Sequence, residues 1–239
     1  MLGLRRSVLN TRLGLGPQAN KKMIALIDYK AGNLTSVKKA LATVGAEVFV
    51  PERPADLASA QGVIVPGVGH FGATRAIDGE WTEAILERIG EGCPLLGICL
   101  GMQWLFEGSD EAPDLPGLGV LSGRCYRLGG LRLKPDAADE AAPDATVANA
   151  PVKVPHVGWN DITFDRSASI VDGVSSGAQV YFTHSYVAPI TGDTIAFTEH
   201  GGRFASVVQR AHIAGVQFHP EKSGDIGLRI LRNFLELAG

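Results

Sequence analysis

Long apolar runs are missing from this sequence. No stretch of its 239 residues approaches the roughly 20 consecutive apolar side chains that a bilayer-crossing helix needs. The most apolar segment, Pro94 to Phe106, is broken by Gly97, Gly101 and Gln103. Cysteine is scarce: Cys93, Cys99 and Cys125 are an odd set that cannot all pair with one another. That argues against a secreted, disulfide-stapled chain and for a reducing, cytoplasmic compartment. A basic excess is missing too, with a net charge of −3 and a pI of about 6.1, so nucleic acid is not a natural partner. There is no phosphate-binding Gly-Lys-Ser/Thr loop. No His/Cys/Asp/Glu group has the spacing of metal ligands, and no cofactor is expected. There is no internal repeat.

What is there is a chain with 45% hydrophobic residues. A chain this long buries about 70–75% of its unfolded surface, enough for one large domain without staples. No linker-like tract divides it. The first 22 residues stand apart: they carry Arg5, Arg6, Arg12, Lys21 and Lys22 and no acid, without the continuous apolar core of a secretory signal. They are read as a disordered or artefactual extension rather than a targeting segment, so the fold is expected to begin at Met23.

From Met23 the chain alternates. Met23–Asp28 is an apolar run suited to a strand buried on both faces. Asn33 is the expected N-cap of a helix carrying Leu34, Val37, Leu41 and Val44 at helical spacing and ending at Gly45. Strands are expected at 47–50, 62–65 and 94–98, and helices over roughly 73–89 and 100–106. Strand–helix alternation is the pattern of a parallel sheet covered on both faces. The second half reads as short β segments, at 119–128, 152–157, 161–164, 179–182, 194–198, 204–209 and 214–218. A final helix from about Asp225 to Leu237 presents Ile226, Ile230, Phe234 and Leu237 on one face. The expected class is α/β, a doubly wound, mostly parallel sheet with flanking helices and an additional antiparallel β segment in the C-terminal half. The stretch 129–150, rich in Ala, Asp and Pro, has too few large apolar residues to bury and is expected to be a mobile surface loop.

Three motifs carry chemistry. Gly97-Ile98-Cys99-Leu100-Gly101 joins a strand to a helix in the form Gly-x-Cys-x-Gly, the cysteine version of a nucleophile elbow. Small neighbours let the turn be sharp, and the following helix N-terminus favours thiolate over thiol. A buried cysteine in a glycine-rich turn would look the same in isolation. Phe218-His219-Pro220-Glu221 ends an apolar run; residues two apart in extended backbone share a side, so Glu221 can hold the imidazole of His219 as a thiol's base requires. A strand-end histidine beside a solvated glutamate is the alternative. His70, His156 and His184 compete as bases but have no acid at that spacing. Pro66-Gly67-Val68-Gly69 follows a strand, and its glycines let a backbone N–H turn toward a developing oxyanion, with the Leu100 N–H as second donor. All three motifs fall at strand carboxyl ends, where such sheets bind ligands.

Gly97-Ile98-Cys99-Leu100-Gly101-Met102-Gln103 together with His219-Pro220-Glu221 resembles the class I, triad-type glutamine amidotransferases. Within that family, four segments resemble the glutaminase subunits of imidazole glycerol phosphate synthases. They are Asp28–Leu34, Pro66–Gly69, Pro155-His156-Val157-Gly158-Trp159-Asn160 and His219–Ser223, and Tyr181–Tyr186 fits as well. The resemblance spans Met23 to the C-terminus. It implies a Cys99–His219–Glu221 triad that hydrolyses glutamine and an oxyanion hole from the Gly67, Val68 and Gly69 loop with Leu100. It also implies glutamine contacts from Gln103 and Glu111 and from backbone near His184 and Ser185. Asn33, Trp159 and Lys222 would face a (β/α)8 cyclase partner that uses the ammonia in histidine biosynthesis. Gln103 reads equally as an amide at the core edge. Two readings stay open beside this one, a glutaminase subunit of anthranilate or aminodeoxychorismate type and a non-catalytic module of the same fold.

Overall fold

Four short strands, three of them with buried side chains on both faces, start the fold in a computed structural model that describes residues 22–77, 79–129 and 152–239. They are β1 (Met23–Leu26), β2 (Glu47–Phe49), β3 (Gly62–Val65) and β4 (Leu95–Ile98). α1 (Leu34–Thr43) and α2 (Gly79–Gly90) connect them, and α3 (Leu100–Trp104) follows β4. Asn33 caps α1, its side chain accepting from the Ser36 N–H at 3.3 Å. The expected extension and the expected loop at 129–150 fall, apart from Lys22 and Gly129, outside the described residues.

The second half supplies β5 (Gly108–Ser109), β6 (Arg124–Arg127), β7 (His156–Phe164), β8 (Ala178–His184) and β9 (Tyr186–Val187). It continues with β10 (Thr194–Glu199), β11 (Arg203–Arg210), β12 (Ile213–Val216) and α4 (Gly224–Leu237). One nine-stranded sheet has the order β2-β1-β3-β4-β12-β11-β10-β7-β8. The ladders from β2 to β12 are parallel and those from β12 to β8 antiparallel. The last strand to enter the parallel half, β12, comes from the far end of the chain. It pairs with β4 from Ile213↔Leu95 to Val216↔Ile98, and this pairing brings the cysteine turn beside the histidine segment. A three-stranded sheet, β5-β6-β9, packs alongside.

Alternation along the strands divides the core into two layers. Ile24, Leu26, Ile64, Leu96 and Ile98 pack under Val37 and Leu41 of α1 and Ile230, Leu231 and Phe234 of α4. Ala25, Ile27, Val63, Val65 and Leu95 pack against Ile85 of α2 and Leu100, Met102 and Trp104. Helices therefore cover both faces of the parallel half. Truncating a fully buried aromatic such as Phe234 is expected to cost about 3–5 kcal/mol.

Four sequence expectations shift. The helix expected at 73–89 divides into a 3-10 turn at Phe71–Ala76 and α2. The segments expected at 152–157 and 161–164 give one strand from His156 to Phe164, leaving 152–155 outside it, because β8 pairs with β7 without a break from His156↔His184 to Ile162↔Ala178 and the ladder overrides local glycine and asparagine. The strand expected at 119–128 shrinks to β6. On α4 the buried stripe is Ile230, Leu231, Phe234 and Leu235, with Ile226 and Leu237 at its margin. No helix among the described residues is long and apolar enough to cross a membrane.

Candidate active site

The carboxyl ends of β1, β3, β4 and β12 meet at one place, and each contributes a loop. At the end of β4, Cys99 has φ +53° and ψ −104°, a conformation that side chains rarely adopt. Its neighbours allow it. A Cβ on Gly101 would lie 1.8 Å from the Val65 carbonyl oxygen, and one on Gly97 would lie 2.6 Å from the Gly101 oxygen. Only glycine at both positions lets α3 cross this close to β3 and β4. The Cys99 N–H donates to the Val216 oxygen at 2.8 Å, tying the elbow to β12. The sulfur is buried, with the Thr183 oxygen at 3.9 Å and the Gln217 Nε2 donating to it at 3.6 Å.

His219 and Glu221 reach the site by a route different from the extended backbone expected. Pro220–Lys222 is a 3-10 turn, and it folds Glu221 back beneath the ring. Nδ1 of His219 and Oε1 of Glu221 are 2.8 Å apart, with side chains only 2% and 3% exposed. The backbone holding them is itself fastened. The His219 N–H donates to the Tyr181 oxygen at 2.9 Å, and the buried Ser223 hydroxyl donates to the His219 oxygen at 2.6 Å while accepting from the Tyr181 N–H at 3.0 Å.

Nε2 of His219 makes no well-formed hydrogen bond in this resting arrangement, yet the Cys99 sulfur lies within its electrostatic and hydrogen-bonding reach. Burial is the largest single influence on the imidazole and disfavours its charge. The sulfur, by charge and as acceptor, and then Glu221 outweigh it and hold the His219 pKa up at about 10. The arrangement favours a protonated His219 beside the sulfur at neutral pH. The cysteine motif and the histidine motif therefore form one constellation, and His70 lies elsewhere, capping the 3-10 turn through Gly72.

The loop Pro66–Gly69 sits beside the elbow, but its peptide faces away from an oxyanion. The Gly67 oxygen accepts from the Leu100 N–H at 3.4 Å, and the Val68 N–H donates to the Ala31 oxygen at 2.9 Å. Of the N–H groups expected in an oxyanion hole, those of Val68 and Leu100 are thus occupied. Below the loop the buried Tyr29 hydroxyl has no partner, and burial, with the Cys99 charge second, pushes its pKa far up. Gly67, Gly69 and Gly72 have the bare spacing of a dinucleotide fingerprint. They lead into the short 3-10 turn rather than the long helix whose N-terminus would face a pyrophosphate. Among the described residues, no group of three or more His, Cys, Asp or Glu is positioned to hold a metal ion.

The model for class I glutamine amidotransferases matches residues 25–238. This chain belongs to that family. It is 40% identical over 215 residues to "Imidazole glycerol phosphate synthase subunit HisH" of Bacillus cytotoxicus, covering 89% of this chain and 93% of that one. It is 43% identical over 221 residues to the protein of the same name from Gloeobacter violaceus, covering 90% and 89%. Among solved structures, a chain titled "Crystal structure of glutamine amidotransferase" superposes with a TM-score of 0.65 at 22% identity, covering 90% and 98%. A chain from the structure of PurLQS of Thermotoga maritima gives 0.61 at 13%, with the same coverage. These two likenesses are of fold.

In this amidotransferase the remaining expected residues fall into two groups. Gln103, Glu111, His184 and Ser185 are each held by hydrogen bonds to neighbouring segments. The buried Gln103 amide donates from Nε2 to the Tyr186 oxygen at 2.8 Å and to Gln217 Oε1 at 3.2 Å. Glu111 accepts from the Phe71 N–H at 2.7 Å, fixing the turn after the glycine loop. His184 is a buried, neutral link. Its Nδ1 donates to the Tyr186 oxygen at 3.1 Å, and its Nε2 meets His156 Nδ1 at 3.1 Å. Burial chiefly lowers the pKa of His184 to about 3 and of His156 to about 4. The Ser185 oxygen accepts from the Leu128 N–H at 2.9 Å.

Asn33, Trp159 and Lys222 are exposed. Trp159 is 57% and Val157 54% exposed, on the same face of β7. Trp159 meets the Tyr181 ring edge-on with centroids 6.1 Å apart, and Lys222 Nζ lies 5.8 Å from that ring's centroid. An exposed tryptophan beside a second large apolar side chain is a feature of docking surfaces. The sequence assigned no role to Gln217, Thr183 or Ser223, although Thr183 and Ser223 lie within segments that carried the resemblance. Gln217 left a signal of its own, a polar residue inside the apolar run Val216-Gln217-Phe218.

Proposed function

We propose that this chain is the glutaminase subunit of an imidazole glycerol phosphate synthase, hydrolysing glutamine to glutamate and ammonia for a cyclase subunit. The observation that carries the chemical part is the buried His219–Glu221 pair, 2.8 Å apart, beside a cysteine strained to φ +53° on a glycine elbow. The relatives' name, at 40% identity over 93% of one such chain, supports the choice of synthase over a chorismate-using one.

Each residue then has a task set by its surroundings. The Cys99 sulfur attacks the side-chain amide carbon of glutamine. Imidazolium His219 protonates the departing nitrogen, ammonia leaves, and a γ-glutamyl thioester remains on Cys99. Neutral His219 next takes a proton from water, whose oxygen attacks the thioester, and glutamate and the thiolate are regenerated. Glu221 holds Nδ1–H throughout and keeps Nε2 aimed at the reacting atoms. The oxyanion that forms twice on the amide carbon needs two N–H donors. Leu100 and the Val68 peptide supply them once that peptide turns over, releasing the Leu100 N–H from the Gly67 oxygen and the Val68 N–H from the Ala31 oxygen. Glutamine turnover is therefore slow in the resting chain and rises when something draws the loop around. Glu111 and the unused Oε1 of Gln103 are the groups suited to the α-ammonium of glutamine.

Ammonia set free in neutral water is protonated and loses its nucleophilicity, so delivery needs a partner seated over the site. The exposed face of Val157, Trp159 and Lys222, with Asn33 near the glycine loop, suits that partner, a (β/α)8 cyclase forming a heterodimer in the cytoplasm. Glutamate release from the chain alone, then with the purified cyclase subunit and its phosphorylated ligand, tests the reading. Activation by at least an order of magnitude is expected; full activity of the lone chain would count against it.

A further inference from the structure

The Gln217 side chain is fully buried, touches the nucleophile, and has no part in the mechanism above. Which end of its amide faces the sulfur decides what it does, and a chain of fixed partners decides the end. The Tyr186 carbonyl oxygen can only accept. It therefore faces the nitrogen of Gln103, which donates at 2.8 Å. That same nitrogen lies 3.2 Å from Gln217, so the atom of Gln217 there is the oxygen. The remaining end of Gln217, 3.6 Å from Cys99 Sγ, is the nitrogen. His184 Nδ1 also donates to the Tyr186 oxygen at 3.1 Å, holding the origin of the relay in place.

We infer that Gln217 is a positioning residue for Cys99, presenting an N–H donor to the sulfur whose direction is set by Gln103 and the Tyr186 carbonyl. An N–H aimed at sulfur stabilises the thiolate over the thiol, since an ionised acceptor binds a donor more strongly than a neutral one. It also fixes the sulfur opposite Nε2 of His219, because the buried amide cannot rotate without breaking its bond to Gln103. The site is built for the purpose. The Gln217 N–H donates to the Ser206 oxygen at 2.9 Å, so the residue's backbone is fastened to β11. The relay joins the groups suited to substrate to the nucleophile, so a ligand on Gln103 Oε1 polarises the amide chain that ends at sulfur. This inference rests on Cys99 being the nucleophile.

The test is the pH dependence of Cys99 alkylation by iodoacetamide in the full chain, quantified on the Cys99 peptide by mass spectrometry so that Cys93 and Cys125 do not contribute. Gln217→Met keeps the volume and removes the donor. It is expected to move the midpoint of the rate profile up by about one pH unit and to slow alkylation about tenfold at pH values below both midpoints. Gln217→Asn, which retains an amide one methylene short, falls between and serves if the methionine variant does not fold. In the cyclase complex, kcat for glutamine falls about tenfold while KM stays within about twofold. A purely structural role would lower the melting temperature and leave the midpoint where it is. Unchanged midpoints in the folded variants would overturn the inference. Sluggish alkylation of Cys99 in the parent chain, at the rate of Cys93 or Cys125, would instead sink the nucleophile reading beneath it.

Discussion

Removing the Glu221 carboxylate isolates what the acid member of the triad contributes. Oε1 lies 2.8 Å from Nδ1 of His219, and neither side chain is more than 3% exposed. Water cannot replace the carboxylate there. In Glu221→Ala the imidazolium is left as a buried cation with an unpaired N–H, a situation that costs about 3–5 kcal/mol. At about 1.4 kcal/mol per factor of ten, kcat for glutamine hydrolysis falls roughly 10²- to 10⁴-fold. Glu221→Gln keeps an acceptor oxygen and loses only the charge. Hydrogen bonds to charged groups exceed neutral ones by about 1–1.5 kcal/mol, so this variant falls about tenfold. The assay is glutamate release by the cyclase-activated complex, with ammonia-dependent product formation as the control for intact assembly. The order parent, glutamine variant, alanine variant is the signature. An alanine variant within threefold of the parent would refute the assignment of Glu221 as the group that orients His219.

Trp159→Ala is expected to weaken cyclase binding about 30-fold or more, as for a central aromatic anchor. It should change the stability of the lone chain by no more than about 0.5 kcal/mol, since the ring is 57% exposed; isothermal titration and urea melts read the two effects separately. The buried pair His156 and His184 makes the fold acid-sensitive. The unfolded chain binds their protons from about pH 6.5 downward, while the folded chain refuses them until about 4 and about 3. Their stabilising effect is thus complete above pH 6.5 and lost as pH falls through that window, at about 1.4 kcal/mol per unit for each histidine. Urea unfolding of a His184→Gln variant between pH 6.5 and 4.5 should show a shallower loss than the parent, and equal slopes would contradict it.

The parallel half was legible because its signals are local. β1, β3 and β4 are four-residue apolar runs, Asn33 is a cap that needs only Ser36, and Gly97 and Gly101 mark a crossing tight enough to exclude any Cβ. The triad was legible for a different reason: the thiol, the imidazole and its acid each stand in a compact motif, and the β4–β12 pairing then brings the motifs together. What stayed hidden depends on long-range pairing. β5 and β9 are two residues each and pair with β6. β7 runs through Gly158 and Asn160 because β8 supplies a continuous partner. Glu221 reaches His219 by a 3-10 turn, which the two-residue periodicity of a strand does not describe. The peptide direction at Gly67–Val68 depends on Ala31 and Leu100, one in the loop after β1 and the other beyond β4. Gln217 stood in plain view as a polar residue in an apolar run, but its partners lie 114 and 118 residues away.

If Cys99 works only on glutamine and ammonia passes to the partner's chemistry, replacing the cysteine should separate the two reactions. The experiment is Cys99→Ala in the assembled complex, with product formation measured once with glutamine and once with ammonium chloride at high pH. No detectable product is expected from glutamine, and a rate near that of the parent complex is expected from ammonia. Glutamine-dependent synthesis surviving in the Cys99→Ala complex would contradict this.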